Sequence, residues 1–181
     1  MSKMELRLAG SGGQGVILAT VILAEAAVIA GKNTAQSQSY GPEARGGSCK
    51  AEVIVSDERI GFTKVQHPSF LMALTQKSLD QYGQGLPKDC LVLVDDSLTV
   101  PACLVENRVV KLPILRTAAE KVGKAFTANI VAVAAVNRLL GLVDDEHLKE
   151  AVFMHIPKGT EAINGKALEE GFRLADSVKA E

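Results

Sequence analysis

The chain contains no tryptophan, and its few tyrosines and phenylalanines make up an aromatic content of only 4%. A core for 181 residues must therefore be built from alanine, valine, leucine and isoleucine, the usual filling of an α/β sandwich. Cysteine is also scarce, with single residues at 49, 90 and 103 and no C-x-x-C pair. These spacings predict no disulfide framework, no zinc site and no iron–sulfur ligand set, and they indicate reduced thiols in a cytosolic protein.

Neither an excess of one charge nor a long apolar run is present. The 20 basic and 21 acidic residues leave a net charge of −1, which excludes the basic footprint of a nucleic-acid or membrane-surface protein. The longest apolar run, Val16 to Ala30, is interrupted by Thr20 and Glu25 and is shorter than the roughly 20 residues that span a bilayer. We expect a soluble cytoplasmic protein in which residues 1–181 form a single domain.

The first motif that is present is Gly10-Ser11-Gly12-Gly13-Gln14-Gly15, which fits G-x-G-x-x-G. It follows a predicted strand at Glu5–Ala9 and opens a predicted helix at Gln14–Ala30, the context of a dinucleotide-binding loop. Such a unit needs a carboxylate at the end of its second strand, but Asn33–Ser37 has none, and Glu25 lies inside the helix. The motif therefore predicts the α/β fold and does not favour an NAD site.

The helix after this loop is apolar nearly all round, which predicts burial on more than one side and a partner subunit over one of them. Alternation in Lys50–Val55, a turn, and Ile60-Gly61-Phe62 predict an antiparallel hairpin. Further strands are predicted at 70–74, where a helix is the competing interpretation, and at 90–94 and 109–112. Helices are predicted at 75–82, 115–123, 127–140, 144–153 and 160–178. The fold class that follows is a three-layer, Rossmann-like α/β sandwich with a mostly parallel, mixed sheet and a helical C-terminal region.

A second glycine-rich loop, Ser39-Tyr40-Gly41-Pro42-Glu43-Ala44-Arg45-Gly46-Gly47, follows the second strand. Small neighbours expose the guanidinium of Arg45, which suits capture of a carboxylate or phosphate. Glu43 offers a local ion pair as the simple alternative, and a solvated arginine is another. Tyr40 and Pro42 stiffen the loop and offer flat apolar area of the kind that anchors interfaces.

For the other polar residues, the sequence favours structural roles over catalytic or metal-binding ones. The three histidines are not at metal-ligand spacing. Asp95-Asp96 ends a strand where α/β sites gather, but a turn or helix cap is the favoured interpretation. Asn129 and Asn137 lie on an apolar helix, where they satisfy buried hydrogen bonds or cross an interface. No Ser-His-Asp, Cys-His or paired-carboxylate arrangement follows from the spacing, so no catalytic residue or metal site is predicted.

Taken together, these motifs resemble the gamma subunit of 2-oxoacid:ferredoxin oxidoreductases of the 2-oxoglutarate or pyruvate type. The resemblance rests on both glycine loops and their separation, on Lys50-Ala51-Glu52-Val53, and on further segments: Asp80-Gln81-Tyr82, Leu91–Asp95, Thr127-Ala128-Asn129 and Asn164–Leu168. It covers essentially the whole chain.

The resemblance implies a subunit without catalytic residues of its own in an enzyme that oxidatively decarboxylates a 2-oxoacid with coenzyme A. The products would be an acyl-CoA, carbon dioxide and reduced ferredoxin, with 2-oxoglutarate the preferred substrate and pyruvate the next. Its partners would be alpha, beta and ferredoxin-like delta subunits, with ferredoxin as the electron acceptor. Thiamine diphosphate, magnesium and 4Fe–4S clusters would belong to companion subunits, and this chain would bind no cofactor firmly.

Two roles for the glycine loops stay open at this point. Backbone N–H groups of Gly10–Gly15 at a helix N-terminus suit an anion such as a phosphate of coenzyme A. Glycines there also permit a tight turn and close packing of a neighbouring subunit. The isolated chain is expected to be inactive and to self-associate. The rival functions are a stand-alone Rossmann-like nucleotide-binding protein and the beta subunit of an indolepyruvate ferredoxin oxidoreductase.

Overall fold

The computed structural model describes residues 3–40 and 47–179. Within this length the strands lie before residue 113 with two α-helices between them, and the chain beyond is mainly helical, as the sequence predicts. The strands are β1 Met4–Ser11, β2 Asn33–Tyr40, β3 Ser48–Ser56, β4 Phe70–Ala73, β5 Leu91–Asp95 and β6 Val109–Leu112. The α-helices are α1 Val16–Ile29, α2 Gln76–Tyr82, α3 Ile114–Arg116, α4 Ala128–Leu140, α5 Asp145–His155 and α6 Glu161–Lys179, and a π-helical segment, Thr117–Val122, continues α3.

The six strands form one mixed sheet in the order β2-β3-β1-β4-β5-β6. Strands β1, β4, β5 and β6 pair in parallel, whereas β3 is antiparallel to both of its neighbours, β1 and β2. Parallel strands covered on both faces read as continuous apolar runs, which is why β4 and β5 were recognisable from sequence. The predicted α/β class with a mixed sheet is confirmed.

The partner predicted for β3 was wrong. Residues 60–62 belong to no strand, and β3 forms its antiparallel pairs with β1 and β2 instead. Because both edges of β3 are occupied, no edge is left for a returning strand at Ile60–Phe62. The antiparallel hairpin of this fold is β2–β3, and the second glycine loop connects its two strands.

A buried carboxylate holds the segment between β3 and β4. Glu5 of β1 is 7% exposed and accepts hydrogen bonds from the backbone N–H groups of Gln66 at 2.7 Å and His67 at 2.9 Å. Burial by itself raises the pKa of Glu5, but the contact with Lys3 and these two backbone donors outweigh it, and the net pKa is lowered from 4.5. The charged form of Glu5 is therefore part of the folded structure.

Helix α1 covers β3 and its two neighbours, and its other side is covered within the same chain. Helices α5 and α4 pack against it, and Ile22, Leu23 and Ala26 are fully buried. The expectation that a partner subunit covers the second side of α1 is therefore corrected. A remaining part of the helix surface is open, since Val28 is 52% exposed.

Two apolar cores lie on the two faces of the sheet. The larger contains α1, α4, α5 and α6, and the smaller contains Leu79 of α2 with residues of β4 and β5. Thr75 accepts a hydrogen bond from the backbone N–H of Ser78 and caps α2, as the sequence predicts. Gly171 lies where a side chain would collide with the backbone of Val131, so glycine lets α6 approach α4 closely.

Candidate functional site

The first glycine loop joins the carboxyl end of β1 to α1, the position at which binding sites of open α/β sheets collect. The backbone N–H of Ser11 donates to Gln14 Oε1 at 2.8 Å, and the Gln14 N–H donates to the Ser11 carbonyl at 3.2 Å. A Cβ atom at Gly10 would lie 2.6 Å from Gln14 Oε1 and 2.9 Å from Val16 Cγ2. Glycine at position 10 is therefore required by the packing of the turn itself.

Two further glycines of this loop have left-handed backbones, Gly13 with φ +92° and Gly15 with φ +71°. Gly15 caps α1 and contacts Asn129 of α4, whose side-chain atoms would lie 2.7–3.0 Å from a Cβ at position 15. Gly12 and Gly13 differ, because nothing lies within 4 Å of a Cβ added at either position. The loop thus has a packed half, Gly10 and Gly15, and an open half, Gly12 and Gly13.

The open half borders a cavity of about 280 Å³ lined by Ser11, Gly12, Gly13, Gly15, Val16, Ile17 and Cys49. No side chain caps the N-terminus of α1, and its first turn contains no acidic residue. The positive end of the helix dipole therefore faces the cavity without a negative side chain to offset it. The lining has no charged side chain, and burial raises the pKa of the Cys49 thiol, so Cys49 stays neutral.

The sheet places the stems of the two glycine loops side by side. In the register, Cys49 lies opposite Gly10 on one side and Tyr40 on the other, and Ser48 lies opposite Ser11. Of the second loop, Ser39 and Tyr40 end β2, and Gly47 precedes β3. Gly41, Pro42, Glu43, Ala44, Arg45 and Gly46 lie outside the described residues, so the roles predicted for Pro42, Glu43 and Arg45 stay predictions.

A charged cluster that the sequence reasoning missed lies where β1 and β3 face α2. Glu52 accepts from Arg7 Nε at 2.7 Å and from Lys50 Nζ at 3.2 Å, and it is 7% exposed. Lys50 Nζ lies 5.8 Å from the centroid of the Tyr82 ring, and burial is the main reason why the pKa of Tyr82 is raised. The sequence did contain a signal for this cluster. Lys50 and Glu52 are two residues apart in a largely apolar strand, and residues at that spacing lie on the same face of a sheet.

The remaining candidates have the structural roles that were favoured. Asp95 is 1% exposed and accepts from the Leu115 N–H at 2.8 Å and from Ser97, which makes it a turn and helix-start residue. Asn137 exchanges two hydrogen bonds with the backbone of Val143, at 3.0 and 3.1 Å. Asn129 is 7% exposed, and its side chain packs against Gly15 at the start of α1.

Within residues 3–40 and 47–179, no group of three or more histidine, cysteine, aspartate or glutamate residues is placed to hold a metal ion. Cys49 and Cys90 are buried and Cys103 is exposed, and all three are free thiols. Burial is the main reason why the pKa of Cys90 is raised to about 11. No helix in the described part of the chain is long and apolar enough to cross a membrane.

Comparison with known proteins identifies the family. Residues 5–174 match the model of the pyruvate ferredoxin/flavodoxin oxidoreductase family, and the chain belongs to that family. It is 43% identical over 179 residues to the 2-oxoglutarate synthase subunit KorC of Methanocaldococcus jannaschii, which covers 97% of this chain and 96% of that protein.

Two further proteins are similar to this chain. The keto/oxoacid ferredoxin oxidoreductase gamma subunit of Geobacter sulfurreducens PCA superposes with a TM-score of 0.85 at 41% identity, covering 96% of this chain and 99% of that chain. The ketoisovalerate oxidoreductase subunit VorA of Methanothermobacter thermautotrophicus is 37% identical over 83% of this chain, but over only 31% of its own length. In VorA the matching region is thus one part of a longer chain.

Proposed function

We propose that this chain is the gamma subunit of a multi-subunit 2-oxoacid:ferredoxin oxidoreductase. The enzyme would convert a 2-oxoacid and coenzyme A to an acyl-CoA and carbon dioxide, passing the electrons to ferredoxin. The observation that carries the proposal is the match to a 2-oxoglutarate synthase subunit over nearly the full length of both chains. The Geobacter gamma subunit supports it independently, since its fold and length agree with this chain.

The proposed substrate is 2-oxoglutarate, with pyruvate as the second candidate. Three KorC subunits of 2-oxoglutarate synthases match at 40–43% identity over 95–97% of this chain, against 37% over 83% for the ketoisovalerate subunit VorA. Because the described residues contain no recognisable catalytic arrangement, we assign thiamine diphosphate, magnesium and the 4Fe–4S clusters to companion alpha, beta and delta subunits. This chain would then complete the cytoplasmic complex through its interfaces, with its 181 residues acting as one domain.

The first glycine loop suits a phosphate, and we propose that it receives one from coenzyme A, the acyl acceptor of this reaction. The unshielded N-terminus of α1 and the open backbone of Gly12 and Gly13 fit an anion in the cavity of about 280 Å³. The described lining has no cation, so Arg45 of the neighbouring loop is the residue we propose to supply one. The alternative role is close packing of a companion subunit against the open glycines, with Arg45 bound to a carboxylate of that subunit.

The rival functions predict different observations. A stand-alone nucleotide-binding protein would bind NAD or FAD as an isolated chain, which a thermal shift would detect. The observation against this rival is that β2, Asn33–Tyr40, contains no carboxylate that could bind a ribose. The beta subunit of an indolepyruvate oxidoreductase is the other rival, and one such subunit matches at 25% identity.

The experiment is to co-express the chain with candidate companion subunits encoded beside it and to purify the complex through a tag on this chain. We expect 2-oxoglutarate- and coenzyme A-dependent reduction of ferredoxin or viologen by the complex, and none by the colourless isolated chain. The matched control is the companion subunits without this chain. Turnover by the isolated chain, or full activity of the companions without it, would contradict the proposal.

A further inference from the structure

The two edges of the sheet differ in how they are protected against pairing with another chain. At one edge, β6 is four residues long, contains Lys111 and is followed by Pro113. A short strand, a lysine and a proline are the usual protections of a sheet edge. At the other edge, β2 is eight residues long, and its sequence NTAQSQSY contains neither a charged residue nor a proline. The outer edge of β2, here called the β2 edge, therefore lacks the protection that β6 has.

The β2 edge is also regular and unoccupied. The pairing of β2 with β3 runs without a bulge from Asn33, opposite Ser56, to Tyr40, opposite Cys49. Half of the backbone N–H and C=O groups of an edge strand point away from the sheet, and in the part of the chain that the structure describes no hydrogen bond reaches them on β2. Residues 33–39 are half-buried or exposed. A straight row of unpaired backbone groups of this kind is a template for a further strand.

Helix α1, which covers this half of the sheet, has an apolar stripe that is open to solvent. Four residues at spacings of four, three and four form the stripe: Ile17, Val21, Ala24 and Val28. The first three are half-buried, and Val28 is 52% exposed. Thr20, which accepts a hydrogen bond from Gln36 of β2 at 3.2 Å, lies on one flank, and Glu25, 4.0 Å from His155 of α5, lies on the other. At 3.6 residues per turn the stripe lies between these flanks, on the outer surface of the helix.

We propose that the β2 edge pairs antiparallel with the β2 edge of a second copy of this chain, about a two-fold axis perpendicular to the sheet. The pairing forms one continuous sheet through both copies and satisfies the free backbone groups of both edges. An axis in this direction keeps the two α1 helices on the same face of the sheet. The apolar stripes then flank the axis, and association removes part of both from water. The inference does not depend on the proposed enzymatic activity.

The composition of β2 suits pairing with itself. Because side chains alternate between the faces of a sheet, only registers that bring residues of the same face together are allowed. With Gln36 on the axis, Thr34 lies opposite Gln38 of the second copy, and Ala35 lies opposite Ser37. Every such pair is neutral, whereas a charged strand would place like charges opposite each other. The strand is therefore its own complement, and an isologous contact of this kind closes at two copies.

The first test measures the oligomeric state of the isolated full-length chain by sedimentation over a range of concentrations. We expect a monomer–dimer equilibrium without larger aggregates. The backbone amides of residues 33–39 should exchange with deuterium more slowly at concentrations that favour the dimer, whereas those of residues 109–112 in β6 should not change. A chain that stays monomeric, or a dimer whose β2 amides exchange as fast as those of the monomer, would overturn the proposal.

The second test uses lysine substitutions with matched controls. Ser37→Lys places two like charges beside the axis, and in its own chain the introduced lysine lies opposite Glu52, which favours retention of the fold. Val28→Lys interrupts the apolar stripe, and a cation suits the last turn of α1. We expect the dissociation constant of the dimer to rise at least about tenfold for Ser37→Lys and several-fold for Val28→Lys. The controls are Ser177→Lys on α6 and Val105→Lys, where the valine is 85% exposed.

Both controls should dimerise as the wild-type chain does, and thermal melting checks that every variant is folded. If Ser37→Lys does not fold, the comparison of Val28→Lys with Val105→Lys still decides the outcome. Equal dissociation constants for the variants and their controls would overturn the proposal. Protection of the β2 amides that arises only when companion subunits are added would assign the edge to a strand of a companion, and this result would also overturn it.

Discussion

The contact between Gly15 and Asn129 gives the sharpest prediction, because it joins the glycine loop to α4 and can be tested on the isolated chain. Replacement of Gly15 by alanine introduces a methyl group in two unfavourable ways. The backbone of Gly15 is left-handed, with φ +71°, and the added Cβ would lie 2.7 Å from Asn129 Nδ2, 2.9 Å from Cγ and 3.0 Å from Cβ.

The two costs can be separated. A left-handed backbone costs a non-glycine residue about 1–2 kcal/mol. Forcing Asn129 aside in a packed site adds about 1–3 kcal/mol, the usual cost of overpacking. We therefore expect Gly15→Ala to reduce the free energy of unfolding by about 2–5 kcal/mol. In the double variant Gly15→Ala, Asn129→Ala the close approaches to Nδ2 and Cγ are gone, and only the approach to the Cβ of residue 129 at 3.0 Å is left. The loss beyond that of Asn129→Ala should therefore be smaller than the loss caused by Gly15→Ala alone, and no smaller than the backbone cost of about 1–2 kcal/mol.

The assay is urea unfolding at 25 °C, followed by circular dichroism, for the wild type, both single variants and the double variant. Gly12→Ala is the matched control, because a Cβ there meets nothing within 4 Å and Gly12 has no positive φ. It should change the free energy of unfolding by less than about 1 kcal/mol. The reasoning fails if Gly15→Ala is as stable as Gly12→Ala, or if Asn129→Ala recovers none of the loss.

Three further predictions concern charges and thiols. Arg45→Ala should change the free energy of unfolding by less than about 0.5 kcal/mol, yet it should impair assembly or raise the coenzyme A requirement of the reconstituted complex; wild-type behaviour in both assays would refute our assignment. Because the folded-state pKa of Glu5 is lowered, its stabilising effect is complete above its ordinary pKa of 4.5 and is lost as the pH falls through the lower folded value. Glu5→Gln should therefore be less stable at pH 7 and lose less stability on acidification, and parallel pH profiles for variant and wild type would contradict this. A thiol reagent at pH 8 should label Cys103 in the folded chain, whereas Cys90, which is 0% exposed and has a pKa raised to about 11, should be labelled only in urea; mass spectrometry of the labelled peptides would check this, and labelling of Cys90 without urea would contradict it.

Local sequence signals were sufficient for the elements that carry the candidate site. Gly10–Gly15 between an apolar strand and an apolar helix predicted the strand–loop–helix unit, because each feature acts within a few residues of its neighbours. Thr75 before α2 and Asp95 at the end of β5 were recognisable for the same reason, since a cap or turn bonds to groups two to four residues away. The family resemblance also followed from these short motifs and their separation.

Pairing between distant segments was decided only by the tertiary structure. Alternation in Lys50–Val55 shows that a strand forms, but it does not show which strands lie beside it, and β3 proved to be bounded by β1 and β2. The apolar surface of α1 indicates burial, but it does not identify the covering element, and α5 and α4 of the same chain cover it. A hydrophobic pattern indicates that one face of an element is buried. Which element packs against that face depends on the path of the whole chain.

The candidate functional surface also depends on contacts between distant segments of the chain. Cys49 lies beside Gly10 through strand register, which places the stems of the two glycine loops together. Asn129 packs on Gly15 across more than 100 residues of sequence. The amino-acid sequence by itself determined the local elements, the fold class and the family. The tertiary structure decided which polar groups are paired and which are left free, because that depends on contacts between segments far apart in the chain.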